Sequence, residues 1–99
     1  METKKIKVHT NYINEDAILK FGTYSNGSVA IQGVTEEGEP LFRATVALDV
    51  MPSDGCVFLK GWSENEGIPE ALVKAGIVEL TGRTEVTGYC EALEARLVK

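Results

Sequence analysis

Glycines and prolines cut this chain into short pieces, and within most pieces apolar and polar residues alternate one for one. A period of two sends successive side chains to opposite faces of an extended strand, so the pattern admits short strands and few helices. Residues 5–13 set Ile6, Val8 and Tyr12 against Lys5, Lys7, His9 and Asn11. A polar turn is expected at Asn14-Glu15-Asp16. A second strand then places Ala17, Leu19 and Phe21 opposite Lys20 and Gly22, reaching about Tyr24. Asn26-Gly27 signals a hairpin, because the commonest two-residue turn needs positive φ at both central positions. Val29 to Thr35 reads as the third strand, and Glu36-Glu37-Gly38-Glu39-Pro40 as the next turn, with Gly38 free to be left-handed.

The cleanest alternation follows. Phe42, Ala44, Val46, Leu48 and Val50 share one face and Arg43, Thr45 and Asp49 the other, which predicts a strand over 42–50. Met51-Pro52-Ser53-Asp54-Gly55 ends it, and Cys56 to Leu59 is a short apolar strand. One helix is expected over about 68–75. Pro69 suits a first turn, Ile68, Ala71, Leu72 and Ala75 form one apolar stripe, and Gly76 stands where a left-handed stop belongs. Residues 89–98 are rich in helix formers, yet Leu93, Ala95 and Leu97 alternate with Glu94 and Arg96. The Gly82-Arg83 and Thr87-Gly88 breaks tip that open choice towards a closing strand. The expected fold is α+β: an antiparallel sheet of about five or six strands with the helix packed on one face, in a single domain over 1–99.

Fifteen acidic residues against ten basic ones give a net charge of −5. Proteins that hold nucleic acid need a basic stripe to displace counterions from phosphate, so direct nucleic-acid binding is not expected. No run is apolar enough for a membrane span, and the first residues do not read as a secretory signal, so a cytoplasmic location is expected. Cys56 and Cys90 are read as reduced thiols, without the spacing of a zinc site.

No residue pattern points to catalysis, a cofactor or a metal. His9 falls on the polar face of its strand, and the serines stand in turns. Glycine-rich phosphate loops are absent from the sequence. Glu36, Glu37 and Glu39 lack the alternating oxygen ligands of a calcium loop. Trp62 is the only tryptophan and precedes the helix in a polar segment, Gly61-Trp62-Ser63-Glu64-Asn65-Glu66-Gly67. It is read either as a lid over the core, with Ser63 or Asn65 capping the helix, or as an interface anchor ringed by Glu64, Glu66 and Glu70.

A set of ordered motifs resembles a small domain-of-unknown-function family carried by phages and bacterial mobile elements. They are Val29-Ala30-Ile31-Gln32, Gly38-Glu39-Pro40, Ala44-Thr45-Val46 with Leu48, and Phe58 with Lys60. Then come Ser63-Glu64-Asn65-Glu66-Gly67, Leu72, Gly76-Ile77, Gly82-Arg83 and Gly88-Tyr89-Cys90. Ala47 stands where the family pattern has Asn, and Gly61-Trp62 where it has an acidic–aromatic pair. The resemblance implies no reaction. It implies a setting, in which small acidic proteins inhibit host defence systems, CRISPR–Cas among them.

The expected function is therefore a non-enzymatic binding protein of a bacterial host's cytoplasm. It acts as an anti-CRISPR-like inhibitor that covers the basic, nucleic-acid-binding surface of a defence protein. The residues expected to bind that partner are Trp62, Glu64, Glu66, Glu70, Glu36, Glu37 and Glu39. The alternative is a structural or accessory mobile-element protein that assembles with itself, as a homodimer, through an exposed strand edge.

Overall fold

The computed structural model describes residues 3–48, 50–62 and 65–98. Among them the elements run β1 (Thr3–His9), β2 (Asn14–Thr23), β3 (Val29–Val34), β4 (Pro40–Arg43), β5 (Cys56–Leu59), α1 (Ile68–Lys74), β6 (Val78–Thr87) and β7 (Cys90–Leu97). The α+β expectation holds, but the strands form two sheets rather than one, ordered β1-β2-β3-β4 and β5-β7-β6. All pairings are antiparallel.

Three hairpins in a row build the first sheet. In the β1–β2 turn the Thr10 hydroxyl accepts the backbone N–H groups of Tyr12 at 3.1 Å and Ile13 at 3.0 Å. The Thr10 N–H also donates to the Ile13 carbonyl at 2.7 Å. These local bonds close the turn upstream of Asn14-Glu15-Asp16, which instead opens β2. Tyr12, expected on the core face, is 62% exposed at that turn.

The next two turns use one device. Tyr24 N–H bonds Ser28 O and Gly27 N–H bonds Tyr24 O; Thr35 N–H bonds Glu39 O and Gly38 N–H bonds Thr35 O. Each loop ends on a left-handed glycine, Gly27 at φ 89° and Gly38 at φ 90°. Asn26-Gly27 thus marks a hairpin as expected, through a longer loop than the two-residue turn.

The predicted strand over 42–50 is corrected. β4 stops at Arg43, and the consecutive residues Ala44 and Thr45 are both buried, at 0% and 1% exposure. A strand with one wet face does not bury successive residues. The Ala44 N–H still bonds Ile31 O in the first sheet, while Ala44 O accepts the Lys60 N–H and the Val46 N–H bonds Phe58 O. Thr45 bridges Leu59. The chain changes sheets at this point. Asp49, assigned to the polar face, lies outside the described residues.

β6 was not anticipated, because Gly82-Arg83 reads as a break. It is a bulge: Leu80 pairs with Ala95 and Thr84 with Leu93, leaving Thr81, Gly82 and Arg83 opposite Glu94 alone. The ambiguous tail is a strand, as alternation suggests, and it is the central one of its sheet.

α1 begins at Ile68 as expected and ends at Lys74, with Ala75 as its exposed C-cap and not part of the buried stripe. Gly76, at φ 77°, donates to Val73 O and Ile77 donates to Leu72 O, a Schellman closure. Among the described residues no side chain caps the N-terminus. The Asn65 amide donates instead to the carbonyls of Arg43 at 2.7 Å and Lys60 at 3.3 Å. Ser63, the other expected cap, lies outside the described residues.

One core joins the layers. Ile6, Val8, Leu19, Ile31 and Phe42 come from the first sheet, Val57, Leu59, Val78 and Ala95 from the second, and Ile68 and Leu72 from the helix. Each large aliphatic side chain withdrawn from water this fully contributes about 1.5–3 kcal/mol. The Phe42 ring lies over Gly33 so closely that a Cβ there would fall 2.3 Å from two ring atoms. Gly33→Ala is expected to cost about 1–3 kcal/mol in urea unfolding through overpacking. Gly22→Ala on the same sheet, with nothing within 4 Å of its Cβ, should stay within about 0.5 kcal/mol.

Candidate functional site

The expected binding residues fall into two groups. Glu36, Glu37 and Glu39 are exposed at the β3–β4 turn. That turn is stiff: besides its two backbone bonds, the Thr35 hydroxyl accepts the Glu39 N–H at 3.0 Å. Glu36 leaves the group electrostatically. Its carboxylate accepts a hydrogen bond from Lys5 Nζ at 2.8 Å, which holds the Glu36 carboxyl below the usual range and raises Lys5. Lys5 also lies 3.7 Å from Asp16. Glu37 and Glu39 remain, among the described residues, without an ion pair.

Trp62, Glu66 and Glu70 lie on the segment leading into and along α1. Trp62 is half-buried, and its carbonyl accepts the Asn65 N–H at 3.0 Å. Glu66 and Glu70 are exposed, and Glu64 lies outside the described residues. No hydrogen bond or ion pair among the described residues connects this segment with the β3–β4 turn. His9 is exposed, and its Nδ1 lies 2.9 Å from Asn14 Oδ1.

The most concentrated chemistry lies elsewhere, around Glu94. This carboxylate is 3% exposed. Its Oε2 accepts the Ser53 backbone N–H at 3.0 Å and Arg83 Nη1 at 3.0 Å, and its Oε1 accepts the Thr81 hydroxyl at 2.7 Å. The Ser53 amide, then Thr81, with Arg83, hold its carboxyl below the usual range against the opposing effect of burial. Arg83 also donates to Glu85 at 3.2 and 3.3 Å and stacks 5.4 Å from the Phe58 ring centroid. The β6 bulge supplies Thr81 and Arg83; the loop before β5 supplies Ser53. Glu94 is thus a clamp between that loop and the sheet, ionised and fully engaged as an acceptor.

The alternation in β7 places Glu94 on the polar face, which implied exposure. The missed signal is Cys56-Val57-Phe58-Leu59: a strand apolar at every position is covered on both faces, and Phe58 pairs directly with Glu94.

Both cysteines are free, Cys56 buried and Cys90 half-buried. Burial, with the Glu94 charge adding to it, pushes the Cys56 thiol up and keeps it a poor nucleophile. Among the described residues no group of three or more His, Cys, Asp or Glu is placed to hold a metal ion. No helix among them is long and apolar enough to cross a membrane.

Two outcomes are expected. Because its folded carboxyl is depressed, Glu94 contributes stability that is full above the unfolded value near pH 4.5 and is lost as pH falls through the folded value. Glu94→Gln should lose about 1–3 kcal/mol at pH 7 and show a shallower decline on acidification than the wild type, read by urea unfolding across pH. Iodoacetamide followed by mass spectrometry should label Cys90 first, and Cys56 only on unfolding.

Compared with family models, curated proteins and solved structures, the chain matches none.

Proposed function

We propose that this chain is a non-enzymatic binding protein that sets its acidic β3–β4 turn against the basic, nucleic-acid-binding surface of a partner protein, as an inhibitor of a bacterial defence system. One observation carries the reading: Glu37 and Glu39 are exposed on a turn already fixed by its own hydrogen bonds, so docking costs little ordering entropy. The net charge of −5 supports it by long-range steering, and the resemblance to phage and mobile-element proteins supports the setting.

The test is a pull-down from lysate of a host that carries several defence systems, with wild type, Glu37→Gln/Glu39→Gln and Trp62→Ala compared by mass spectrometry. A nucleic-acid-binding defence protein retained at low salt, released at high salt and lost with the turn variant is the expected result. Retention that ignores salt and the turn variant overturns the charge-docking reading. Trp62→Ala separates its two roles: lost binding with an intact fold means an anchor, and unfolding means a lid.

A second reading has its own observation. β6 is an edge strand with Leu80 and Val86 exposed at 49% and 75%, and Tyr89 at its tip fully exposed. Such an edge favours pairing with a second copy. A salt-independent dimer in light scattering, with no other protein captured, would select it.

A further inference from the structure

We propose that the groove between the free edge of β1 and the flank of α1 takes an extended, acidic segment of a partner protein as an added strand. This inference does not rest on the acidic-turn reading and concerns a different surface.

The groove is lined by Lys7 and His9 from β1 and by Gly67, Glu70, Ala71, Lys74 and Ala75 along α1. β1 ends its sheet, so one side of its backbone has, among the described residues, no strand partner. The register shows which groups face that side. Thr10 and Ile13 close the turn with a backbone bond, and the same ladder pairs Val8 with Glu15 and Ile6 with Ala17. Bonded and non-bonded pairs alternate along an antiparallel ladder. Ile6 and Val8 therefore bond to β2, while the N–H and C=O groups of Lys5, Lys7 and His9 point outwards. Lys7 and His9 are the two β1 residues that line the groove, so its strand-side wall is a row of open backbone donors and acceptors.

The opposite wall gives a second strand room. Ile68 and Leu72 turn into the core, and the flank facing the groove carries the small residues Gly67, Ala71 and Ala75, with the longer side chains of Glu70 and Lys74 also lining it. Added strands of this kind take affinity from the backbone and specificity from alternate side chains. Charge selects the occupant. Lys7 and Lys74 flank the groove and, among the described residues, form no ion pair, against one carboxylate, Glu70. A second copy fits poorly, because two β1 edges paired about Lys7 would set lysine against lysine.

The experiment is amide NMR of the whole chain with two N-acetylated synthetic peptides, one alternating aspartate with valine and one alternating lysine with valine, each to millimolar concentration. The aspartate peptide is expected to shift the Lys7 and His9 amides and slow their exchange, leaving Ile6 and Val8 unmoved. Lys7→Gln/Lys74→Gln should weaken that binding about three- to tenfold. Three results overturn the proposal: no response to either peptide, an equal or stronger response to the lysine peptide, or protection of the β1 edge that rises with protein concentration alone. The last would make a second copy the occupant.

Discussion

Everything else in this molecule depends on how one short stretch of backbone serves two sheets at once. Ala44 donates to the first sheet and accepts from the second, and Thr45 fills the space between. A buried threonine is costly unless its hydroxyl is satisfied. Here that hydroxyl accepts the Ile31 N–H at 3.0 Å and lies 3.0 Å from the Tyr24 hydroxyl. Asn65 completes the joint by tying the Arg43 and Lys60 carbonyls together. Both side chains act as polar rivets where backbone groups leave one ladder before joining the next. No buried side-chain polar atom among the described residues lacks a partner.

The joint also explains which parts of the fold were legible. Periodicity reports which side of a strand is apolar, and it was right for Ile6 and Val8 of β1 and for Ala17 and Leu19 of β2, which are buried while Lys5, Lys7, His9 and Lys20 are exposed. It does not report which sheet the strand belongs to. Residues 42–50 alternate in sequence, Ala47 apart, yet the backbone passes from one ladder to another at Ala44 and Thr45, and Val50, counted on the apolar face, is exposed. The helix was legible because its signals are local: Pro69 at the start, Ile68 and Leu72 in register, Gly76 at the stop. Asn65 looked like a cap because caps are also local, yet its partners lie on β4 and after β5.

The acidic residues were visible in the sequence, but their environments were not. Glu36 and Glu37 are neighbours in one turn, and only Glu36 meets a lysine, contributed by a strand two places away in the sheet. Glu94 and Glu91 share one strand, one buried at the bulge and the other exposed. What separates them is pairing register, which is fixed by contacts distant in sequence.

The strand order of the second sheet has a consequence for how the chain is made. The first sheet is assembled from neighbours in sequence, so its hairpins can form as soon as they are synthesised. β5 has no such neighbour. Its ladder partner is β7, which follows it by more than a helix and a strand, so the pairing of this segment, apolar at every position, is long-range in sequence. The residues that bond β5 at the crossing, Thr45 and Val46, precede it in sequence, so it is the β7 ladder that needs the last part of the chain.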